Sequence, residues 1–329
     1  MSTASAKAPS AVTVASNLFV AEHLAAAAAL GDSLVDRVWD PDAFVALIDE
    51  GFKTVADPLA IDGMRAVTPG LGPVLGVRLP LMDATQKAFK RGTRKTPTSL
   101  LIDVMDRLLR QETREIRWFG MWNLARLLPT DPERTWQLLR RAAHEADDWI
   151  SVDTLAHPYG EGILLDAHRW SELEQLVYSK SRWERRLVGS TIATMPHVHG
   201  VPGGRDQPVI ERGLALVGQL IGDDEPEVQK ALSWALRTLA DLDAAATTRF
   251  LEAETRTARL TADGHRGWVV RDSVSKLPAE TATRLRVDLD GIRRRPGAPA
   301  TSRAAAAVAQ FAAAGTYGPA PSATNVLEE

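Results

Sequence analysis

Helix-start signals follow one another along most of this chain, and they limit its fold more than any other feature. An aspartate followed at once by proline marks two starts, at Asp40-Pro41 and Asp131-Pro132. The aspartate can accept from free N–H groups of the first turn, where proline is also tolerated. Further starts are indicated by capping-box spacing and a first-turn proline, at Ser171 with Glu174, Ser181 with Glu184, and Pro226. Since no segment alternates convincingly between apolar and polar residues, the sequence predicts an all-α protein.

The spacing of these signals favours a repeat architecture. Between residues 32 and 295 it predicts helices of about 10–18 residues joined by short linkers. Helix pairs that recur about every 35–45 residues are typical of a HEAT-like α-solenoid, in which antiparallel pairs stack on their neighbours. No strict self-similarity accompanies the spacing, so a compact irregular bundle is the alternative. A solenoid would supply a long concave surface for a partner.

Composition divides the chain into three parts. Residues 1–31 begin with a Ser/Ala/Thr-rich stretch and are predicted to form a loose N-terminal tail; residues 32–295 form the helical-repeat domain. Residues 296–329 are rich in Ala, Gly and Pro and are predicted to be a disordered tail. No uninterrupted apolar run approaches ~18 residues. We therefore expect a cytoplasmic protein with no membrane partner, and a monomer.

Residue counts exclude several kinds of chemistry. The 329-residue chain has no cysteine, which excludes disulfide scaffolds, cysteine-ligated metals and thiol nucleophiles. The formal net charge of −3 argues at first against a nucleic-acid partner. However, the charge is unevenly distributed, because residues 78–95 hold six basic residues against one acidic residue. Basic excess also marks residues 180–186 and 284–295. On a solenoid, such stretches could form a basic concave surface that neutralises phosphates.

Three short segments place tryptophan beside charged residues at helical spacing. Residues three or four apart lie on one face of a helix, so each segment would present a ring and a charge to the same side. The sets are Trp149 with Asp153, Trp183 with Arg186, and Trp234 with Lys230 and Arg237. Trp183 is expected to brace the helix that presents Arg186. The other tryptophans are expected to pack in the core: Trp39, Trp118, Trp122, Trp136, Trp170 and Trp268.

Carboxylate, indole and guanidinium groups together suit one reaction that needs no metal or cofactor. An alkylated purine is already cationic, so it can leave a deoxyribose as a neutral base without a general acid. The transition state then carries positive charge on the sugar. A carboxylate stabilises that charge, aromatic faces attract cations by about 0.5–2 kcal/mol, and arginine binds a backbone phosphate.

The ordered set of these segments resembles the AlkD family, the HEAT-like-repeat DNA glycosylases of alkylation repair. The resemblance covers residues 76–239 and includes two upstream motifs, Gly76-Val77-Arg78-Leu79-Pro80 and Glu115-Ile116-Arg117. Three positions after Pro80, where the family usually has a basic residue, this chain has Asp83. Its basic residues follow a turn later, at Lys87, Lys90 and Arg91.

The resemblance implies a monofunctional hydrolase that excises cationic alkylpurines such as 3-methyladenine, 7-methylguanine or bulkier adducts from duplex DNA, in base excision repair. It implies that Trp149 and Trp234 frame the deoxyribose, and that Asp153 stabilises the sugar cation and positions the water. Arg186 would contact the DNA backbone. Further phosphate contacts are expected from Lys230, Arg237, Lys87, Lys90 and Arg91. A non-catalytic HEAT-like protein that binds DNA structures and a HEAT protein-interaction scaffold are the alternatives.

Overall fold

The computed structural model describes residues 11–314, and within this range the secondary structure is helical, with one isolated bridge between Ala56 and Val77. The chain divides into two compact units, Met1–Asp166 and Ala167–Glu329. Unit 1 contains α1 (Ala11–Val35), α2 (Pro41–Thr54), α3 (Pro58–Val67), α4 (Leu79–Gly92), α5 (Thr98–Leu109), α6 (Arg114–Leu124), α7 (Pro132–His144) and α8 (Trp149–Leu165). Unit 2 contains α9 (Trp170–Leu176), α10 (Arg182–Thr194), α11 (Gln207–Leu220), α12 (Pro226–Leu242), α13 (Ala244–Thr261), α14 (Gly264–Ser273), α15 (Ala279–Asp288) and α16 (Arg303–Ala314).

Helices pack in pairs within each unit, and this confirms the predicted all-α fold of stacked helices. In unit 1, α5 packs on α6 and α7 on α8, while α4, α6 and α8 lie side by side. In unit 2, α11 packs on α12 and α13 on α14, while α10, α12 and α14 are neighbours. Central helices such as α6 and α12 bury their apolar residues against several neighbours at once, which an isolated helix pair cannot do. The concave basic surface stays a prediction.

The cores of both units explain how closely their helices approach. In unit 1, Phe44 and Phe119 flank Phe89, with ring centroids 5.4 and 5.6 Å from it, and all three side chains are fully buried. In unit 2, α10 and α12 touch at Gly189, where a Cβ atom would lie 2.8 Å from the backbone carbon of Ala231. A larger residue at 189 would therefore push α10 away from α12.

The aspartate-proline starts are confirmed. Asp40 accepts from the N–H of Ala43 at 3.0 Å, and Asp131 accepts from that of Arg134 at 3.3 Å. The start predicted at Ser171 is wrong, because α9 begins one residue earlier and the Ser171 hydroxyl donates to a preceding carbonyl oxygen. The helix predicted after Ser181 exists, as α10, although the serine side chain makes no capping bond.

The loose tail predicted for residues 1–31 is wrong for residues 11–31, which belong to α1. This helix packs along α4, burying Ala27 and Leu34 completely, and the Thr85 hydroxyl donates to the Ala27 carbonyl oxygen at 2.9 Å. By length and composition alone, residues Val12–Val35 could also cross a membrane. Residues 1–10 lie outside the described range.

The disordered tail predicted for residues 296–329 is wrong for residues 296–314. The segment before α16 is held by hydrogen bonds from the Thr301 N–H to the Gly222 carbonyl at 2.8 Å and between His265 Nε2 and the Ala298 carbonyl at 3.0 Å. Ser302 is buried, and α16 packs on α11. The low-complexity composition concealed these contacts because they are made largely by the backbone. Residues 315–329 are outside the part described.

Candidate functional site

Helix α8 carries the first two predicted site residues. Asp148 caps the helix by accepting from the N–H of Ser151 at 2.8 Å and from its hydroxyl at 2.7 Å. Trp149 is the first helical residue and Asp153 follows one turn later, so the two side chains share a face, and both are partly exposed. The indole N–H of Trp149 donates to the Val67 carbonyl oxygen at 3.2 Å. The predicted pairing of indole and carboxylate is therefore present on α8.

Buried polar groups hold the start of α8 in place. The indole N–H of Trp118, on α6, donates to the Ser151 hydroxyl at 3.0 Å. The Arg114 guanidinium, itself buried, lies 2.7 Å from Asp147 and 3.6 Å from Asp148. Because these contacts join α6 to Ser151 and to the carboxylates that precede α8, they hold the first turn of α8 in position against α6.

The two upstream motifs of the resemblance meet in the structure. Glu115, at the start of α6, is fully buried and accepts hydrogen bonds from the N–H groups of Leu75, Gly76 and Val77 at 2.8–3.2 Å. Gly76 has a φ of +90°, and a Cβ there would lie 2.5 Å from a backbone oxygen of Asp57. Glu115 and Gly76 therefore fix the loop that leads into α4.

A largely apolar cavity of about 850 Å³ opens beside Trp149 in unit 1. Its walls come from α8, from Trp118 and Trp122 of α6, from Met82 of α4, and from α3. Residues 77–80 add to the lining, and a further wall is α1, which was predicted to be a tail; its lining residues are Val12, Ser16, Asn17, Val20, Ala21 and Leu24. The contribution of α1 was missed because its long alanine-rich sequence resembles a low-complexity segment more than a packed helix.

In unit 2, two predicted phosphate-binding residues share one carboxylate. Arg186, at 5% exposure, donates through Nη1 to the Glu227 carbonyl oxygen at 2.8 Å and to its carboxylate at 3.1 Å. The ammonium of Lys230 lies 2.7 Å from the other oxygen of that carboxylate. The same short segment that predicted Lys230 also contains Glu227 three residues earlier, a spacing that signals an ion pair.

Trp234 and Arg237 lie on one face of α12 and are both partly exposed. The Arg237 guanidinium lies 2.6 Å from the Asp272 carboxylate, which also accepts from the Ser233 hydroxyl at 2.6 Å. Arg237 is thus engaged by α14, an interaction that sequence spacing could not reveal. The indole of Trp234 remains accessible beside it.

The predicted basic residues of α4 are exposed, and two of them are paired. Lys87 lies 2.7 Å from Asp83, the residue that replaces the family's usual basic position, and Arg91 lies 2.8 Å from Asp32. Lys90 forms no ion pair with the residues that the structure describes. Lys90 is therefore the least compensated of the three predicted phosphate contacts.

The core assignment of the remaining tryptophans is partly confirmed. Trp118, Trp136 and Trp170 are buried, whereas Trp122 is partly exposed in a cavity wall. Trp39 is 71% exposed, so its core assignment is wrong. Two partly exposed rings, Trp268 and Trp183, have guanidinium groups over them at 4.7 and 4.9 Å. These rings are positioned by cation–π contacts rather than by deep burial.

Glu161, on α8, is a buried titratable group that the sequence reading did not single out. Burial raises the pKa of its carboxyl group, and the positive charge of Lys90 opposes that rise. Glu161 follows Asp153 by eight residues, which places it about two turns along the same helix.

Comparison with known proteins supplies the family. No curated protein matches the chain in a sequence search. The sequence pattern of one family, described as DNA alkylation repair enzyme, matches residues 48–277. This range includes α8, α10 and α12 and more than half of the chain. The chain therefore belongs to the DNA alkylation repair enzyme family, a family of enzymes that act on DNA.

Proposed function

We propose that this protein is a monofunctional DNA glycosylase that hydrolyses the N-glycosidic bond of cationic alkylated purines in duplex DNA. The observation that carries the proposal is the pairing of Trp149 with Asp153 on one face of a rigidly anchored α8. The family match supports alkylated DNA as the substrate. We further propose that the protein acts as a cytoplasmic monomer without a cofactor.

The proposed reaction uses groups on α8. As the bond between C1′ and the base nitrogen breaks, its electron pair moves to the base, which leaves neutral. The Asp153 carboxylate stabilises the positive sugar, and Trp149 offers a ring face to it. Water adds to C1′ and gives its proton to Asp153, leaving an abasic site. In unit 2, the partly exposed Trp234 ring is proposed to contact DNA, and Arg186, Lys230 and Arg237 to contact its phosphates.

The decisive experiment measures free alkylpurine released from methylated duplex DNA by the wild type and by Asp153→Asn. We expect a large loss of excision in the variant while affinity for undamaged duplex is kept. Asp103→Asn, an exposed carboxylate on α5 of the same unit, serves as the matched control and is expected to excise normally.

Three alternative outcomes would each contradict one element of the proposal. Equal excision by Asp153→Asn and wild type would remove the role of Asp153. An absence of base release from every alkylated duplex, with salt-sensitive DNA binding retained, would favour a non-catalytic DNA-binding protein. If the wild type bound no duplex at all, a protein-interaction scaffold would be the better description.

A further inference from the structure

The C-terminal end of α4 and the residues after α6 enclose a cavity of about 430 Å³ whose lining is basic. Among the residues described, the lining includes no Asp or Glu. Its cations are Lys87, Lys90, Arg91, Arg94 and Arg126. Threonines 93, 96, 98 and 130 add hydroxyl groups. The hydroxyls of Thr93, Thr98 and Thr130 already donate within the protein, so the donors available to phosphate oxygens are chiefly the ammonium and guanidinium groups.

Arg126 is the most deeply placed of these cations. One guanidinium nitrogen donates to the Thr93 hydroxyl at 2.8 Å, and the group lies over the ring of Phe89 at 5.3 Å. Its Nε atom is buried without a hydrogen-bond partner in the described structure. Burial lowers the pKa of Arg126 to about 10, since no neighbouring carboxylate compensates for its lost hydration. An anion in the cavity would provide that compensation.

Several other arginines of the described structure are compensated by acidic residues. Arginines 114, 185, 186, 237 and 266 all have a carboxylate within 3.2 Å. By contrast, Lys90, Arg94 and Arg126 form no ion pair with any residue in the described range. Lys90 is close enough to Glu161 to influence its titration, but Glu161 is not part of the cavity lining. Three cations around one cavity thus lack a counter-ion.

We propose that this cavity binds a phosphate group, with Arg126 as the buried anchor and Lys90 and Arg94 at the rim. The bound phosphate group would belong either to the backbone of duplex DNA or to a free phosphate ion, since both present anionic phosphate oxygens. The choice of DNA as the phosphate donor rests on the proposed function. The site itself follows from the uncompensated charges and the cavity.

The test uses Arg126→Gln, together with Arg94→Gln, whose exposed side chain can be changed without risk to folding. Arg134→Gln is the matched control, because Arg134 is an exposed arginine of unit 1 already paired with Asp131. Affinity for an undamaged duplex is measured at several salt concentrations. Thermal unfolding is measured with inorganic phosphate and with chloride at equal ionic strength.

If DNA is the source, each cavity variant lowers duplex affinity about tenfold and reduces the slope of log affinity against log salt by about one. If free phosphate is the source, phosphate raises the unfolding temperature of wild type but not of Arg126→Gln, and duplex affinity is unchanged. Either result supports the site. Duplex affinity and phosphate response like those of wild type in both variants would overturn it. Binding is read without excision, so failure of the glycosylase assay leaves this test intact.

Discussion

The Arg186 guanidinium is bonded twice to Glu227, once to its backbone carbonyl at 2.8 Å and once to its carboxylate at 3.1 Å. A residue predicted to meet DNA phosphate is thus already neutralised within unit 2. The same carboxylate also holds Lys230 at 2.7 Å. Glu227 therefore sets how much positive charge α10 and α12 can offer to DNA, and it is the most direct point at which to change that charge.

Replacing Glu227 with glutamine is expected to strengthen duplex binding about three- to tenfold at low salt. The change keeps an acceptor for Arg186 but removes the negative charge that competes with phosphate. The salt dependence of the affinity should become steeper. Glu211→Gln, which removes an exposed carboxylate of α11 in the same unit that accepts a hydrogen bond from the neutral Gln207, is the control and should leave affinity unchanged. Weaker binding by Glu227→Gln would mean that the carboxylate positions these cations rather than masking them.

Replacing Trp118 with phenylalanine is expected to lower the free energy of unfolding by about 1–2 kcal/mol, because the Ser151 hydroxyl loses a buried donor. Urea unfolding measures this difference. Excision should fall as well, since Ser151 and Asp148 define the turn that presents Trp149. Trp39→Phe changes an exposed indole and should stay within about 0.5 kcal/mol of wild type. Equal losses in the two variants would contradict a special role for the Trp118 bond.

Replacing Gln229 with leucine is expected to cost about 2–3 kcal/mol of unfolding free energy. This fully buried amide donates to the Asp223 carbonyl at 2.6 Å and accepts from Arg294 at 2.9 Å. Its amide nitrogen also lies 3.1 Å from Nδ1 of His265. The leucine would leave the Asp223 carbonyl and the His265 nitrogen without this buried partner, whereas Arg294 is exposed to water.

Urea unfolding again supplies the measurement for Gln229→Leu. Gln137→Leu, at an exposed position of α7, is the control and should change stability by less than about 0.5 kcal/mol. A loss that small in Gln229→Leu would show that the segment before α16 is held without this amide.

Replacing Glu161 with glutamine is expected to stabilise the protein at neutral pH and to have little effect in acid. Burial raises the folded-state pKa of Glu161 above its ordinary value of 4.5, so the folded state holds the proton more tightly than the unfolded state. That contribution to stability is complete below pH 4.5 and is lost as pH rises through the folded-state pKa. Unfolding free energies of both proteins between pH 4 and 8, with Glu133→Gln as an exposed control, check the sign. A variant less stable than wild type at pH 7 would contradict it.

Local signals predicted much of the helical framework. Asp40 and Asp131 cap the helices that their prolines predict, because capping involves atoms only a few residues apart. Ser171 and the two supposed tails failed for the opposite reason. The position of α1 depends on contacts with α4, and that of the segment before α16 depends on backbone atoms near Gly222 and His265. Composition carries no information about such contacts.

The sequence alone determined the helical class, the family resemblance and the pairing of Trp149 with Asp153, since these follow from residue identity and from the spacing of one turn. The tertiary structure decided which charges remain available. It places Arg186 against Glu227 and Arg237 against Asp272, yet gives Arg126 no carboxylate partner among residues 11–314. Ion pairs between helices depend on which helix faces pack together, and the electrostatic effect of a charge depends on its neighbours and its burial. Counting charges along the chain reveals neither the packing nor the burial.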